Sequence, residues 1–81
     1  MAIEFRLPEL GENIEEGDVV KVLVSVGDRI TKDQPVMEVE TEKAAVEIPS
    51  PADGVVREVH VREGQKVRVG ELLLVIEEAG E

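Results

Sequence analysis

Apolar residues recur along the chain at every second position, in short runs. Val20, Val22, Val24 and Val26 form one such series, and Val59 and Val61 form another. This is the period of a half-buried strand, whose successive side chains point to opposite faces. Read this way, and bounded by glycine, proline and acidic clusters, the chain predicts strands near 2–7, 19–24, 36–41, 44–48, 55–61 and 72–77. Shorter extended pieces are expected near 29–31 and 66–68. No segment of useful length carries a helical period. The prediction is an all-β domain of two sheets or a flattened barrel.

The pattern is used twice. Residues 16–40 read EGDVVKVLVSVGDRITKDQPVMEVE and residues 53–77 read DGVVREVHVREGQKVRVGELLLVIE. Laid over each other without a gap, they pair Gly17 with Gly54, Val19 with Val56, Val22 with Val59, Val24 with Val61, Gly27 with Gly64 and Glu40 with Glu77. Matching glycines mark backbone positions and not core filler, so the match indicates a repeated half-domain. VGDRI and EGQKV read as tight turns with an acidic or polar residue after the glycine, and KDQP and RVGE as short turns into the next strands. IPSPADG, with Pro49 and Pro51, ends a strand and links the halves. A shift of 37 carries Lys43 onto Gly80, so a twofold axis would relate the tip of the 36–48 hairpin to the region of the chain's ends.

That tip is the stretch ETEKAAV. The strand VMEVE ends at about Thr41 and AAVEI begins the next, which leaves Glu42 and Lys43 as the central pair of a tight turn. Neither residue suits the left-handed conformation that a type I′ turn requires. The turn is therefore of another type, or holds strain for the sake of a side chain. A lysine projecting from a rigid tip suits chemistry performed by other proteins. It is poorly placed as a catalytic amine of this one, since Glu40, Glu42 and Glu47 favour its charged form.

Composition narrows the function. The 81 residues fit one compact domain with a thin core, built from valine, isoleucine and leucine around the lone aromatic, Phe5. A formal charge of −10 repels phosphate backbones and argues against nucleic-acid binding. With no cysteine there is no thiolate nucleophile, no Cys-based metal site and no disulfide. No run is long enough to span a membrane, and MAIEFRLPEL lacks the form of a secretion signal. A cytoplasmic location follows as the expectation.

Several motifs together carry a resemblance over Ile3 to Glu77: GEN in the first loop, VGDRI before a strand, ETEKA, EIPSP, DGVV and VREGQKVRVGELL. The chain resembles the lipoyl domain of the acyltransferase component of 2-oxo acid dehydrogenase complexes. EIPSP and GENIEEGD look more like pyruvate dehydrogenase examples than 2-oxoglutarate or branched-chain ones.

The resemblance implies a flattened barrel of two four-stranded antiparallel sheets with pseudo-twofold symmetry. It places the lipoylated lysine in a Thr-(Asp/Glu)-Lys-Ala turn, here Thr41, Glu42, Lys43 and Ala44, with lipoate in amide linkage on Lys43. Related biotinyl domains have Met on both sides of their lysine, where this chain has Glu42 and Ala44, so biotin is the less favoured cofactor. Gly11, Glu12, Asn13, Ile14, Glu15 and Glu16 match the family's exposed loop beside the lipoyl turn, which contributes to recognition by the decarboxylase. Val22 departs from the Trp that many members carry near this position.

The implied role is a swinging-arm acyl carrier with no catalytic residues of its own. Its partners are then the 2-oxo acid decarboxylase, the acyltransferase core, dihydrolipoamide dehydrogenase and the enzyme that attaches lipoate, and the isolated domain is expected to be a monomer. The chain reads as one lipoyl domain over 1–81, with the start of a linker near 78–81. A biotin carboxyl carrier and the longer glycine-cleavage carrier are the alternatives. His60, the one histidine, aligns with Leu23 on the alternate set from Val59 and Val61, which predicts a partly exposed strand side chain and not a catalytic base. Asp18 and Asp28 do not form a calcium loop, and no phosphate-binding glycine loop is present.

Overall fold

The computed structural model describes residues 1–78. Valine-rich segments interrupted every few residues by turns give eight strands: β1 (Ala2–Arg6), β2 (Glu16–Val22), β3 (Arg29–Ile30), β4 (Pro35–Glu40), β5 (Ala45–Pro49), β6 (Gly54–Val59), β7 (Lys66–Arg68) and β8 (Leu72–Glu78). They pair, antiparallel throughout, into two four-stranded sheets of order β1-β8-β6-β3 and β5-β4-β2-β7. The shortest axis of the molecule is 17 Å, the thickness of two sheets packed about 10 Å apart with one layer of outward side chains on each. No described helix is long and apolar enough to cross a membrane.

The repeat holds bond by bond. β2 and β7 pair Gly17 with Val67, and β6 and β3 pair Gly54 with Ile30. Gly27 donates its N–H to Val56 O, and Gly64 donates to Val19 O, both at about the same length (2.8 and 2.7 Å). The polar residue after each of these glycines closes its turn. Asp28 Oδ2 accepts from Ser25 N–H at 2.8 Å, and Gln65 Oε1 accepts from Arg62 N–H at 3.1 Å. Gly80, the shifted partner of Lys43, lies outside the described residues. The related bonds are nevertheless present: Thr41 N–H donates to Ala44 O, and Glu78 N–H donates to Met1 O, each at 2.8 Å.

The core lies between the sheets and is aliphatic, with Ile30, Val36, Met37, Val39, Leu73, Leu74 and Ile76 almost fully buried and Phe5 at one edge. The simple alternation expected of the first valine series fails. Val19 is buried and Val20 and Val26 are exposed; of that series Val22, half-buried, and Val24, buried, pack on the core. The cause is an irregularity in the register of β2 against β4 between Val19 and Lys21, which inserts one residue and moves the following side chains to the other face. The same shift occurs in β6 against β8 between Val56 and Glu58. β2 also starts earlier than expected because Glu16, Gly17 and Asp18 pair with β7.

Gly17 and Gly54 sit where neighbouring strands leave no room for a side chain. A Cβ on Gly17 would lie 2.5 Å from Val39 Cγ1 and 2.9 Å from Glu40 O. One on Gly54 would collide with Glu77 O and lie 2.9 Å from Ile76 Cγ2. Any other residue at either position would push the sheet apart.

Candidate functional site

β4 runs into β5 through the turn Thr41–Ala44, and the side chain of Thr41 organises it. Thr41 Oγ1 accepts from the N–H groups of Lys43 (3.2 Å) and Ala44 (3.1 Å) and donates to Ala44 O (2.9 Å). Neither Glu42 nor Lys43 has a positive φ. Of the two possibilities the sequence left open, the turn is thus of another type, without left-handed strain, and a threonine hydroxyl replaces the glycine chemistry of a type I′ loop. Glu42, Lys43 and Ala44 are exposed. Among the described residues Lys43 takes part in no ion pair. The amine stands clear at the tip, free to accept a long acyl substituent.

The loop between β1 and β2 reaches this turn because of the β2–β4 register. Asp18 faces Glu40, so the residues that precede β2 and those that follow β4 emerge at the same end of the sheet. Asn13, Ile14, Glu15 and Glu16 line one side of an open cleft of about 520 Å³, with Glu40, Thr41 and Glu42 on the other. Gly17, Asp18 and Lys66 complete the lining. Gly11 and Glu12 face a second recess of about 680 Å³ with Glu9 and Val69. Of the six loop residues singled out from sequence, four line the cleft with the turn, and Asn13, Ile14 and Glu15 also line the recess of Gly11 and Glu12.

Local chemistry shapes the loop. Ile14 N–H donates to Gly11 O at 3.2 Å, Asn13 takes a φ of 64°, and half-buried Ile14 anchors the stretch. Asparagine is one of the few side chains that visits the left-handed region readily. Lys66 on β7 bridges to Asp18 Oδ1 at 3.3 Å and Glu16 Oε2 at 3.7 Å. It is the one cation lining a cleft that otherwise carries Glu15, Glu16, Asp18, Glu40 and Glu42. Sequence reading missed Lys66, although the facing of β2 by β7 in the repeat could have placed it. The hydroxyl role of Thr41 was also missed; its signal was a threonine two and three residues before the N–H groups it caps.

His60 lies just beyond β6, is 42% exposed and pairs with Glu58 Oε1 at 2.7 Å. It stands apart from the cleft lining.

The model of the biotin–lipoyl family, described as biotin-requiring enzyme, matches residues 3–76. The chain belongs to the biotin–lipoyl domain family. It is 33% identical to the lipoyl domain of the 2-oxoglutarate dehydrogenase complex of Azotobacter vinelandii, covering 96% of this chain and 99% of that one, with a TM-score of 0.76. It is also similar to the dihydrolipoyllysine-residue acetyltransferase component of the pyruvate dehydrogenase complex of Staphylococcus aureus, with 49% identity over 95% of this chain. The corresponding protein of Staphylococcus epidermidis is 48% identical over the same share. The chain spans 18% of the length of these curated relatives. A domain of the Kluyveromyces lactis urea carboxylase shares the fold, with a TM-score of 0.79 at 22% identity.

Within this family the two-sheet fold and its internal repeat are accounted for, and the likeness to a lipoyl domain that is matched along almost its whole length favours the lipoyl over the biotinyl branch.

Proposed function

We propose that this domain is the lipoate-bearing acyl carrier of a 2-oxo acid dehydrogenase complex, of the pyruvate type, with Lys43 as the attachment residue. The observation that carries the reading is the turn itself: an exposed lysine, without an ion pair among the described residues, at the tip of a hairpin whose backbone is fixed by Thr41. The pyruvate assignment is supported by the identity to the staphylococcal acetyltransferase components. Lipoate over biotin is supported by Glu42 and Ala44, where a biotinyl turn carries Met.

Bound lipoate supplies a disulfide whose reductive acylation and later release to coenzyme A move an acyl group between active sites on other proteins. The chain's own residues hold and present that arm. Tethering makes each visit intramolecular, so a small and weak contact surface suffices for recognition. The cleft between the β1–β2 loop and the turn is that surface, with Asn13 to Glu16 and Glu42 read together by the decarboxylase. Five carboxylates against one lysine make the docking partner basic at this contact and the encounter salt-sensitive. The acyltransferase core, dihydrolipoamide dehydrogenase and the lipoate-attaching enzyme are the other visitors. No thiol of this chain competes for the arm.

Incubation with a lipoate ligase, lipoate and ATP, followed by intact mass and peptide mapping, tests the reading. One lipoyl group on Lys43 is expected. Lys43→Ala should fold with a stability within about 0.5 kcal/mol of the native chain, as an exposed substitution does, and take up none. Biotin accepted from a biotin ligase on an otherwise bare Lys43 would move the domain to carboxyl carriage.

A further inference from the structure

We propose that Thr41 is a positioning residue for modification: its hydroxyl holds the turn in the conformation that the lipoate-attaching enzyme reads, and so sets how well Lys43 is recognised. The inference rests on the carrier function above. A hydroxyl has one donor and two acceptor positions, and Thr41 Oγ1 uses all three inside the turn, on Lys43 N, Ala44 N and Ala44 O.

Among the described residues, a single backbone bond is all that otherwise spans residues 42–44. They are exposed, so packing does not hold them. The turn contains no glycine, proline or asparagine to restrict its dihedrals. The one backbone bond across it runs from Thr41 N–H to Ala44 O, and the N–H of Ala44, which would close the ring in the other direction, is taken by the hydroxyl. Without that hydroxyl the Lys43 and Ala44 amides turn to water and the turn samples more than one conformation. An enzyme that reads the lysine's position then meets the competent form only part of the time, which raises its apparent KM in proportion and leaves turnover of the bound form unchanged.

Valine is the discriminating substitution because it keeps the β-branch and volume of threonine and removes only the polar chemistry. Native chain, Thr41→Val and Thr41→Ser are compared as substrates of a lipoate ligase with lipoate and ATP, with the rate read from intact mass. Amide exchange at Lys43 and Ala44 is followed in parallel. Removing the bonds of one hydroxyl should lower kcat/KM for Thr41→Val about tenfold, through KM, which corresponds to about 1.4 kcal/mol. Thr41→Ser should stay within about twofold of native, since it keeps the hydroxyl. Exchange should quicken at residues 43 and 44 alone. A Thr41→Val chain modified at the native rate overturns the proposal, as does a serine variant as slow as valine, or a loss that tracks global unfolding. A native chain that stays bare at Lys43 overturns the carrier function itself, and the positioning role with it.

Discussion

The two halves of the molecule make the same connection in two ways. After β5 the chain passes from Ser50 to β6 in a few residues, and Ser50 N–H donates to Gln34 O while Asp33 N–H donates to Ser50 O. After β1 the equivalent residue is Leu7, whose N–H donates to Glu71 O and whose O accepts from Gly70 N–H. From there to β2 the chain takes six more residues, because equivalent positions are separated by 43 along β1 and β5 but by 37 from β2 and β6 onward. The short connection shows that the fold needs only Pro51 and Ala52 between Ser50 and Asp53. The extra residues of the long one exceed what the connection itself requires, and the β2–β4 register sets their end beside the lysine turn. Length beyond what the connection needs, resting on the core through Leu10 and set next to the lysine turn, fits the recognition role proposed for this loop.

The largest effect should come from erasing this difference. Replacing Pro8–Glu15 with Pro-Ala, copied from the second half, should leave a folded domain that still accepts lipoate on Lys43. Its reductive acylation by the decarboxylase should fall about a hundredfold, as expected when a cluster of interface residues is lost. Circular dichroism, ligase modification and an acylation assay check the three parts. Acylation at the native rate would remove the loop from the recognition surface.

The glycines test the other side of the comparison, the part the halves share. Gly54→Ala sets a methyl against the backbone carbonyl of Glu77, and should destabilise by about 3 kcal/mol. At Gly17 the nearest atom is a methyl of Val39, which can give way a little, so Gly17→Ala should destabilise less, by about 2 kcal/mol. Urea unfolding of both variants gives the order. Gly70 and Asp33 sharpen it with a smaller effect. They are equivalent and both left-handed, at φ 92° and 72°. A Cβ on Gly70 meets nothing within 4 Å, so Gly70→Ala measures backbone strain alone, about 1 kcal/mol. Gly70→Asn should lose less, as asparagine visits this region readily.

How much of this was written in the chain follows from the same division. All eight strands were legible, because period-two valines and turn residues act locally. The matched glycines exposed the repeat because they mark close backbone approaches, at Gly17 and Gly54, and left-handed turns, at Gly27 and Gly64. The facing of Val19 and Val20 was not legible, since a bulge depends on how β2 sits against β4 and leaves no local trace. The lysine turn was legible as a tip, and its resemblance supplied a role. The cleft was not, because Lys66 and Glu40 reach it only through sheet pairing, and neither was the hydroxyl closure that made the type I′ difficulty irrelevant.

The ends of the two equivalent hairpins differ in one more way. Glu77 lies between the Met1 ammonium and Arg57 Nη1, each at 2.5 Å. Its counterpart Glu40 has Ala44 and Val20 at the related positions and makes no ion pair among the described residues. The hydrogen bond from the Met1 ammonium and then that group's charge hold the Glu77 carboxyl below its usual range; desolvation pushes the other way, and Arg57 adds a lesser lowering. A carboxylate depressed in the folded state adds stability above its unfolded pKa of about 4.3, and that contribution disappears as pH falls through the lower folded value. Glu77→Gln should therefore flatten the acid side of the stability profile while matching the native chain once both are fully protonated. Glu40→Gln removes no ion pair among the described residues and serves as the control for losing a carboxylate. The effect is small because the pair is exposed and screened by salt. Urea midpoints taken across the acid range for both variants decide it, and equal slopes for Glu77→Gln and the native chain would show that the clamp at the chain's ends does no more for stability than the open position beside the lysine.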